Sequence, residues 1–155
     1  MNRREKRLII NLVVVLVITI VFVTGMANIK NAMNRSEAIR AMEFIGREVL
    51  AYRKEHGSLP ARSYVDNFAD AIGAVRLGRF EYRAPWLEFG AEPNSTILAY
   101  AKKNYHGIIS AGYVVLWLDG RVEWIEKDAF EQLLAHQQQQ EEIEWLKEHL
   151  SGTAR

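Results

Sequence analysis

The chain has 155 residues, 49% of them apolar and 25% charged, with a formal net charge of +1 and no cysteine. That length suits a single domain, and the absence of thiols excludes disulfides and a lipid anchor carried on cysteine. Basic residues concentrate at the N-terminus and no broad basic field follows, which argues against nucleic acid as a partner.

In segment 1–7, Arg3, Arg4, Lys6 and Arg7 surround Glu5. From Leu8 through Ile29 no residue is charged, and Leu, Ile and Val dominate. Such a run reads as a transmembrane helix: at 1.5 Å per residue it reaches about 33 Å, against a bilayer core of about 30 Å. It excludes a simple soluble cytosolic protein. No second run of that kind follows, which excludes a multi-pass channel or transporter. The basic flank predicts an N-terminus in the cytoplasm and everything after Ile29 outside. Gly25-Met26-Ala27 is the small-x-small pattern that a signal peptidase reads. The run is nevertheless longer than the roughly 7–15 apolar residues of a signal. An uncleaved anchor over 8–29 is expected, with a cleaved signal as the alternative.

Helical periodicity continues past the anchor. Asn34-Arg35-Ser36-Glu37 has the pattern of a capping box. Ile39, Met42, Ile45, Val49 and Tyr52 then fall on one helical face, with Arg40, Glu43, Arg47 and Glu48 on the other. Gly57 and Pro60 mark the helix end. The expectation is one long helix over 8–56, or two coaxial helices with a bend near Asn34. Its apolar stripe should pack on a sheet.

A short amphipathic segment follows, with Val65, Phe68, Ala69 and Ile72 at helical spacing and Ser63 and Asp66 as cap partners. The period then changes to two: Phe80 and Tyr82 alternate with Arg79, Glu81 and Arg83, a strand ended by Pro85. Residues 90–95 read as a turn-rich loop, 96–101 as a second strand and 102–107 as a polar loop.

The clearest local signal is the run from Tyr113 to Ile125, two β-rich stretches flanking Asp119-Gly120. A two-residue type I′ turn prefers Asp-Gly. With that turn, Leu118 pairs with Arg121, Trp117 with Val122, and Val115 with Trp124. Val115, Trp117, Val122 and Trp124 then share one face, suited to covering the helix, and the opposite face is the more solvated.

After the hairpin, Asp128 and Glu131 repeat the capping pattern, and Phe130, Leu133 and Leu134 give a short stripe. Residues 137–140 interrupt it, and Ile143, Leu146 and Leu150 resume it beside Trp145. One final helix is expected, docked in its first turns, with a solvated, acidic, glutamine-rich end. The fold class is therefore α+β: a long N-terminal helix, transmembrane and then amphipathic, packed on a small antiparallel sheet, with a C-terminal helix. The segments are 1–7, a cytoplasmic basic stretch; 8–29, the membrane helix; 30–135, the exported domain; and 136–155, a polar helix or tail.

This layout resembles the type IV pilin-like proteins, in particular the pseudopilins of type II secretion systems. The stretch from Ala51 through Tyr52 to Gly57 and Pro60 looks like the end of the pseudopilin helix. Ile97–Tyr100, His106-Gly107 and the run from Val115 through Asp119-Gly120-Arg121-Val122 look like a bacterial pilin-like group with a His…Asp-Gly-x-Val signature. The resemblance covers roughly residues 1–135. It implies a non-enzymatic assembly subunit in a bacterial inner membrane, single-pass, whose partners are the lipid bilayer and, through the N-terminal helix, other membrane or secretion-system proteins, with room for self-association. One part of the family pattern has no counterpart: no Gly precedes Gly25, and Glu5 lies before the apolar run instead of inside it. That departure carries a second expectation, a membrane-tethered periplasmic binding module or adaptor that is never processed.

Sharper chemistry finds little support. His106 and Asp119 form at most a pair, whereas metal sites need three or four convergent ligands, and the turn accounts for Asp119. His56, His106, His136 and His149 show no ligand spacing. No phosphate-binding glycine loop or nucleophile motif is present. No catalytic residue, metal or cofactor is expected. Asp119, Gly120, Gly57 and Pro60 are read as turn residues. Ile39, Met42, Ile45, Val49, Tyr52, Trp117 and Trp124 are read as the helix–sheet contact. Trp86 and Trp145 are the tryptophans more open to an interface.

Overall fold

The structure, a computed structural model, describes residues 2–72, 77–105 and 111–151. In chain order the elements are α1 (Arg3–His56), α2 (Arg62–Ile72), β1 (Arg79–Tyr82), a 3-10 turn (Ala84–Trp86), β2 (Ile97–Lys103), β3 (Gly112–Trp117), β4 (Val122–Glu126), α3 (Lys127–Ala135) and α4 (Gln140–Ser151). The four strands form one antiparallel sheet in the order β1-β2-β3-β4. The fold is α+β, as the sequence patterning predicts.

One helix of 54 residues carries both the apolar run and the amphipathic stripe, with no break near Asn34. Neither Pro nor Gly falls between Gly25 and Gly46, so nothing in that stretch removes a hydrogen bond or loosens the backbone. The Asn34/Glu37 pattern therefore lies inside the helix and caps nothing. The helix starts instead at Asn2, whose backbone N–H donates to Glu5 Oε2 at 2.8 Å. It ends at Gly57, in the left-handed region at φ 73°, whose N–H donates to the Arg53 carbonyl at 2.9 Å. Pro60 is buried, and its carbonyl accepts the hydroxyl of the buried Tyr82 at 3.1 Å.

The two halves of α1 have opposite environments. Its large apolar side chains from Leu8 to Ile29 are exposed, while Ala38, Ala41, Met42, Ile45, Gly46 and Val49 are buried. Among the described residues, α1 is the one helix long and apolar enough to cross a membrane. Its buried stripe meets Ala99, Ala101, Val114 and Leu116 of the sheet and Leu118 of the hairpin loop, with Val122 and Trp124 partly buried beside them. Gly46 permits this approach: a Cβ there would lie 2.8 Å from Leu116 Cδ1. The α2 helix begins at Arg62, one residue before Ser63, and adds Val65 to the same core.

The hairpin differs from expectation by one residue. Leu116 pairs with Val122 and Val114 with Trp124. The loop is Leu118-Asp119-Gly120, closed by Trp117 N–H to Arg121 O and Gly120 N–H to Trp117 O, both 2.9 Å. Among the described residues no residue other than glycine has positive φ, which rules out type I′ at Asp119, whereas Gly120 sits at φ 93°. This is a three-residue loop, a type I turn followed by a left-handed glycine. A one-residue slip exchanges the two faces of β3 relative to β4. Leu116 and Leu118 thus join Val122 and Trp124 against α1.

Val115 and Trp117 point the other way. They pack with Ile97, Tyr100, Tyr113 and Phe130 in a second core under α3. The face expected to be solvated is therefore covered, and every residue of β3 is buried. The C-terminal segment is two helices broken at 136–139, not one, and Glu126 holds the N-cap position of α3 without a side-chain capping bond, with Asp128 inside its first turn.

Candidate functional site

Three groups of residues define what this chain presents: the exposed half of α1, the seam between α1 and the sheet, and a buried polar tether at the C-terminus.

The exposed half of α1 suits a lipid environment at the level of single groups. The Thr19 and Thr24 hydroxyls donate back to the carbonyls of Val15 and Ile20, each at 2.8 Å, so both hydroxyls are satisfied within the helix.

At the seam, Met42, Ile45 and Val49 lie in the core and Ile39 packs at its margin, as the stripe predicts. Trp124 packs on the same side. Two members of the predicted contact lie elsewhere. Trp117 belongs to the opposite core, because the extra loop residue turns it over, and its Nε1 donates to Glu123 Oε2 at 3.2 Å. Tyr52 is one turn too far along the helix to reach the sheet. It stacks on His56 at 4.0 Å and meets Tyr64 of α2 at 4.8 Å. Tyr64, Phe68 and Phe44 extend that contact at 5.1 and 6.3 Å, an aromatic seam joining α1 to α2.

Asp119 and Gly120 form the turn. Asp119 Oδ1 accepts the Arg121 backbone N–H at 2.9 Å, and a Cβ on Gly120 would collide with Leu50 Cδ1. That contact docks the hairpin tip on the far half of α1. His106, the other member of the suggested pair, lies outside the described residues. Among the described residues no group of three His, Cys, Asp or Glu is placed to hold a metal.

The tether involves residues that the sequence did not single out. Arg83 and Glu142 are each 1% exposed. Arg83 Nε and Nη2 donate to the two Glu142 oxygens at 2.7 and 2.9 Å. Nη1 donates to Ile97 O at 3.1 Å and Gln137 Oε1 at 3.3 Å, and Nη2 donates also to Gln137 O at 2.8 Å. All five guanidinium protons thus have acceptors. Gln137 in turn accepts the Ile97 N–H at 2.9 Å and donates to Ser95 O at 2.8 Å. The residue expected to interrupt a solvated helix instead bonds the C-terminus to the start of β2. Nearby, the Trp145 ring lies 6.0 Å from Trp86, with the Arg62 guanidinium 4.9 Å above Trp145. Both tryptophans read as open to an interface thus meet each other. A cleft of ≈ 290 Å³ beside Arg83 is lined by Trp86, Thr96, His136 and Gln137.

Burial raises the hydroxyl pKa of Tyr82 and Tyr100, with Glu81 and Glu142 adding to the effect at Tyr100. Both therefore stay neutral at physiological pH and serve as packing and hydrogen-bonding groups. No family model, curated protein or solved structure matches the chain.

Proposed function

We propose that this chain is a non-enzymatic, single-pass subunit of a bacterial inner membrane, with its N-terminus in the cytoplasm and its α+β domain outside, working as a structural or assembly component like the pseudopilins it resembles. The observation that carries this reading is the continuity of α1. The same uninterrupted helix has an exposed apolar half and a half that forms the spine of the domain. Packing of one subunit against others through the apolar half would then fix the position of each domain without a flexible linker. Small residues at Gly25 and Ala27 offer places where a second helix can approach closely.

A second reading keeps the same architecture without polymerisation: a tethered periplasmic adaptor. It is favoured by Glu5, whose carboxylate caps the first turn of α1, ahead of the apolar run. Disulfide trapping in membranes separates the two, because the chain has no cysteine of its own. Single cysteines placed one by one from Val17 to Ile29 should give cross-linked dimers at helical spacing if subunits assemble through α1. Monomers throughout, at the intact mass of 17.8 kDa, would favour the tethered adaptor. A mature chain beginning at Asn28 would contradict both.

A further inference from the structure

Phe89 is the most exposed of the described large apolar side chains, more so than the residues of the apolar run in α1. An exposed apolar side chain alone is ordinary. This one is held out by a defined turn. The Glu88 carbonyl accepts the Ala91 N–H at 3.2 Å, and Gly90 takes the positive φ, 87°, that the third position of a type II turn requires. Glu88 Oε1 also accepts the Gln139 side-chain N–H at 3.1 Å, which ties the turn to the break before α4. The ring is therefore presented with little freedom left to lose on binding.

Beside the turn lies a cleft of ≈ 340 Å³, with Phe89 at its rim. Its apolar lining comes from Leu59, Ala84, Leu87, Ala91 and Leu118. A cavity of about 150 Å³ already holds a benzene ring, so the cleft has room for a phenyl group. Phe89 is fully exposed and so does not fill the cleft that it borders. Arg53 and Glu88 also line the cleft, with opposite charges. Among the described residues neither takes part in an ion pair.

The bilayer that α1 crosses does not reach this face. Arg53 is 24 residues beyond Ile29 on the same helix, about 36 Å at 1.5 Å per residue. A second copy of the chain suits it better. A two-fold contact sets one patch against itself, so the patch must supply both halves of every interaction. This patch carries an apolar knob next to an apolar cleft, and an unpaired base next to an unpaired acid.

We propose that Phe89 of each copy seats in the cleft of a second copy, with Arg53 of one facing Glu88 of the other in both directions. The proposal rests on the reading of α1 as a membrane span, which holds two copies level and upright. Anchoring in one membrane also concentrates the copies, so the contact needs less area than a dimer formed in solution.

The test uses the full chain reconstituted in lipid vesicles and labelled at Ser63→Cys, an exposed position on α2 outside the cleft. Energy transfer between donor-labelled and acceptor-labelled copies should fall several-fold with Phe89→Asp. It should also fall with Arg53→Glu and with Glu88→Arg, because like charges then meet across the pair. Mixing Arg53→Glu copies with Glu88→Arg copies should restore it, since every crossed contact then joins an acid to a base. Two misfolded variants cannot rescue each other, so the mixture separates lost contact from lost fold. Transfer unchanged by Phe89→Asp, or no recovery in the mixture, overturns the proposal. Cysteine cross-linking from Val17 to Ile29 reads the membrane contact separately. Cross-links there, with transfer indifferent to Phe89, leave assembly through α1 standing and remove this face alone. Transfer that depends on Phe89 without such cross-links supports this face and removes assembly through α1.

Discussion

Arg83 and Glu142 stand 59 residues apart in the chain and form a two-pronged ion pair, both side chains enclosed. The pair ties α4 to the residue that follows β1, so the C-terminal helix is part of the folded domain. Removing one partner leaves a buried charge without compensation, which costs about 3–5 kcal/mol. Glu142→Leu and Arg83→Met should each lower stability by that order in urea unfolding. The double substitution should recover much of the loss, because two apolar groups of similar volume leave no orphaned charge. Additive losses would mean that the pair is not the link.

The turn at Asp119-Gly120 gives a second expectation. Gly120→Val should destabilise by more than about 1 kcal/mol, since a β-branched residue resists positive φ and its Cβ would strike Leu50. Asp119→Asn keeps an acceptor for the Arg121 N–H and should stay within about 0.5 kcal/mol. If Asp119→Asn abolished function at unchanged stability, the residue would have a chemical role beyond its turn.

The helix–sheet seam predicts a sharp contrast between neighbouring positions. Ile45→Ala or Met42→Ala should cost roughly 2–5 kcal/mol, the range for large-to-small changes in a core. Glu43→Ala, on the exposed face, should cost within about 0.5 kcal/mol. Equal effects would mean that α1 is not the spine of the domain.

Alkaline titration should expose the buried tyrosines. The pKa values of Tyr82 and Tyr100 are raised in the folded state by burial, so the folded protein binds these protons more tightly than the unfolded chain, whose tyrosines titrate near pH 10. Their contribution is complete below about pH 10 and is lost as pH rises from there through the raised folded values. Stability measured by denaturant should therefore fall above about pH 10. Tyr82→Phe should flatten part of that fall. It should also cost about 1–3 kcal/mol at neutral pH, because the buried Pro60 carbonyl loses its donor.

Much of this fold was legible because its signals are local. The stripe from Ile39 to Val49 sits at helical spacing, Gly57 follows it as a cap, and Asp-Gly marks a hairpin. The register was not legible, because two-residue and three-residue loops around Asp119-Gly120 share the same residues. Choosing between them turns Trp117 to the other face. The second core was hidden for the same reason: with Val115 and Trp117 assigned to α1, nothing remained for Phe130 to cover. The Arg83–Glu142 pair left no trace, since a strand-end arginine and an acid in a glutamine-rich helix look solvated until the fold brings them together. In the sequence Gln137 only interrupts an apolar stripe; in the structure the helix itself breaks there, and the Gln137 side chain fastens the break to Ser95 and Ile97.

The account turns on α1 being one helix from membrane anchor to domain core. Backbone hydrogen exchange on the full chain in lipid nanodiscs tests this most directly, read across residues 30–37, between the apolar run and the buried stripe. The account predicts protection that continues through this stretch from Ile29 to Ala38, with no fast-exchanging gap. Rapid exchange confined to residues 30–37 would mean a flexible joint between an anchor and a separate domain, and would contradict it.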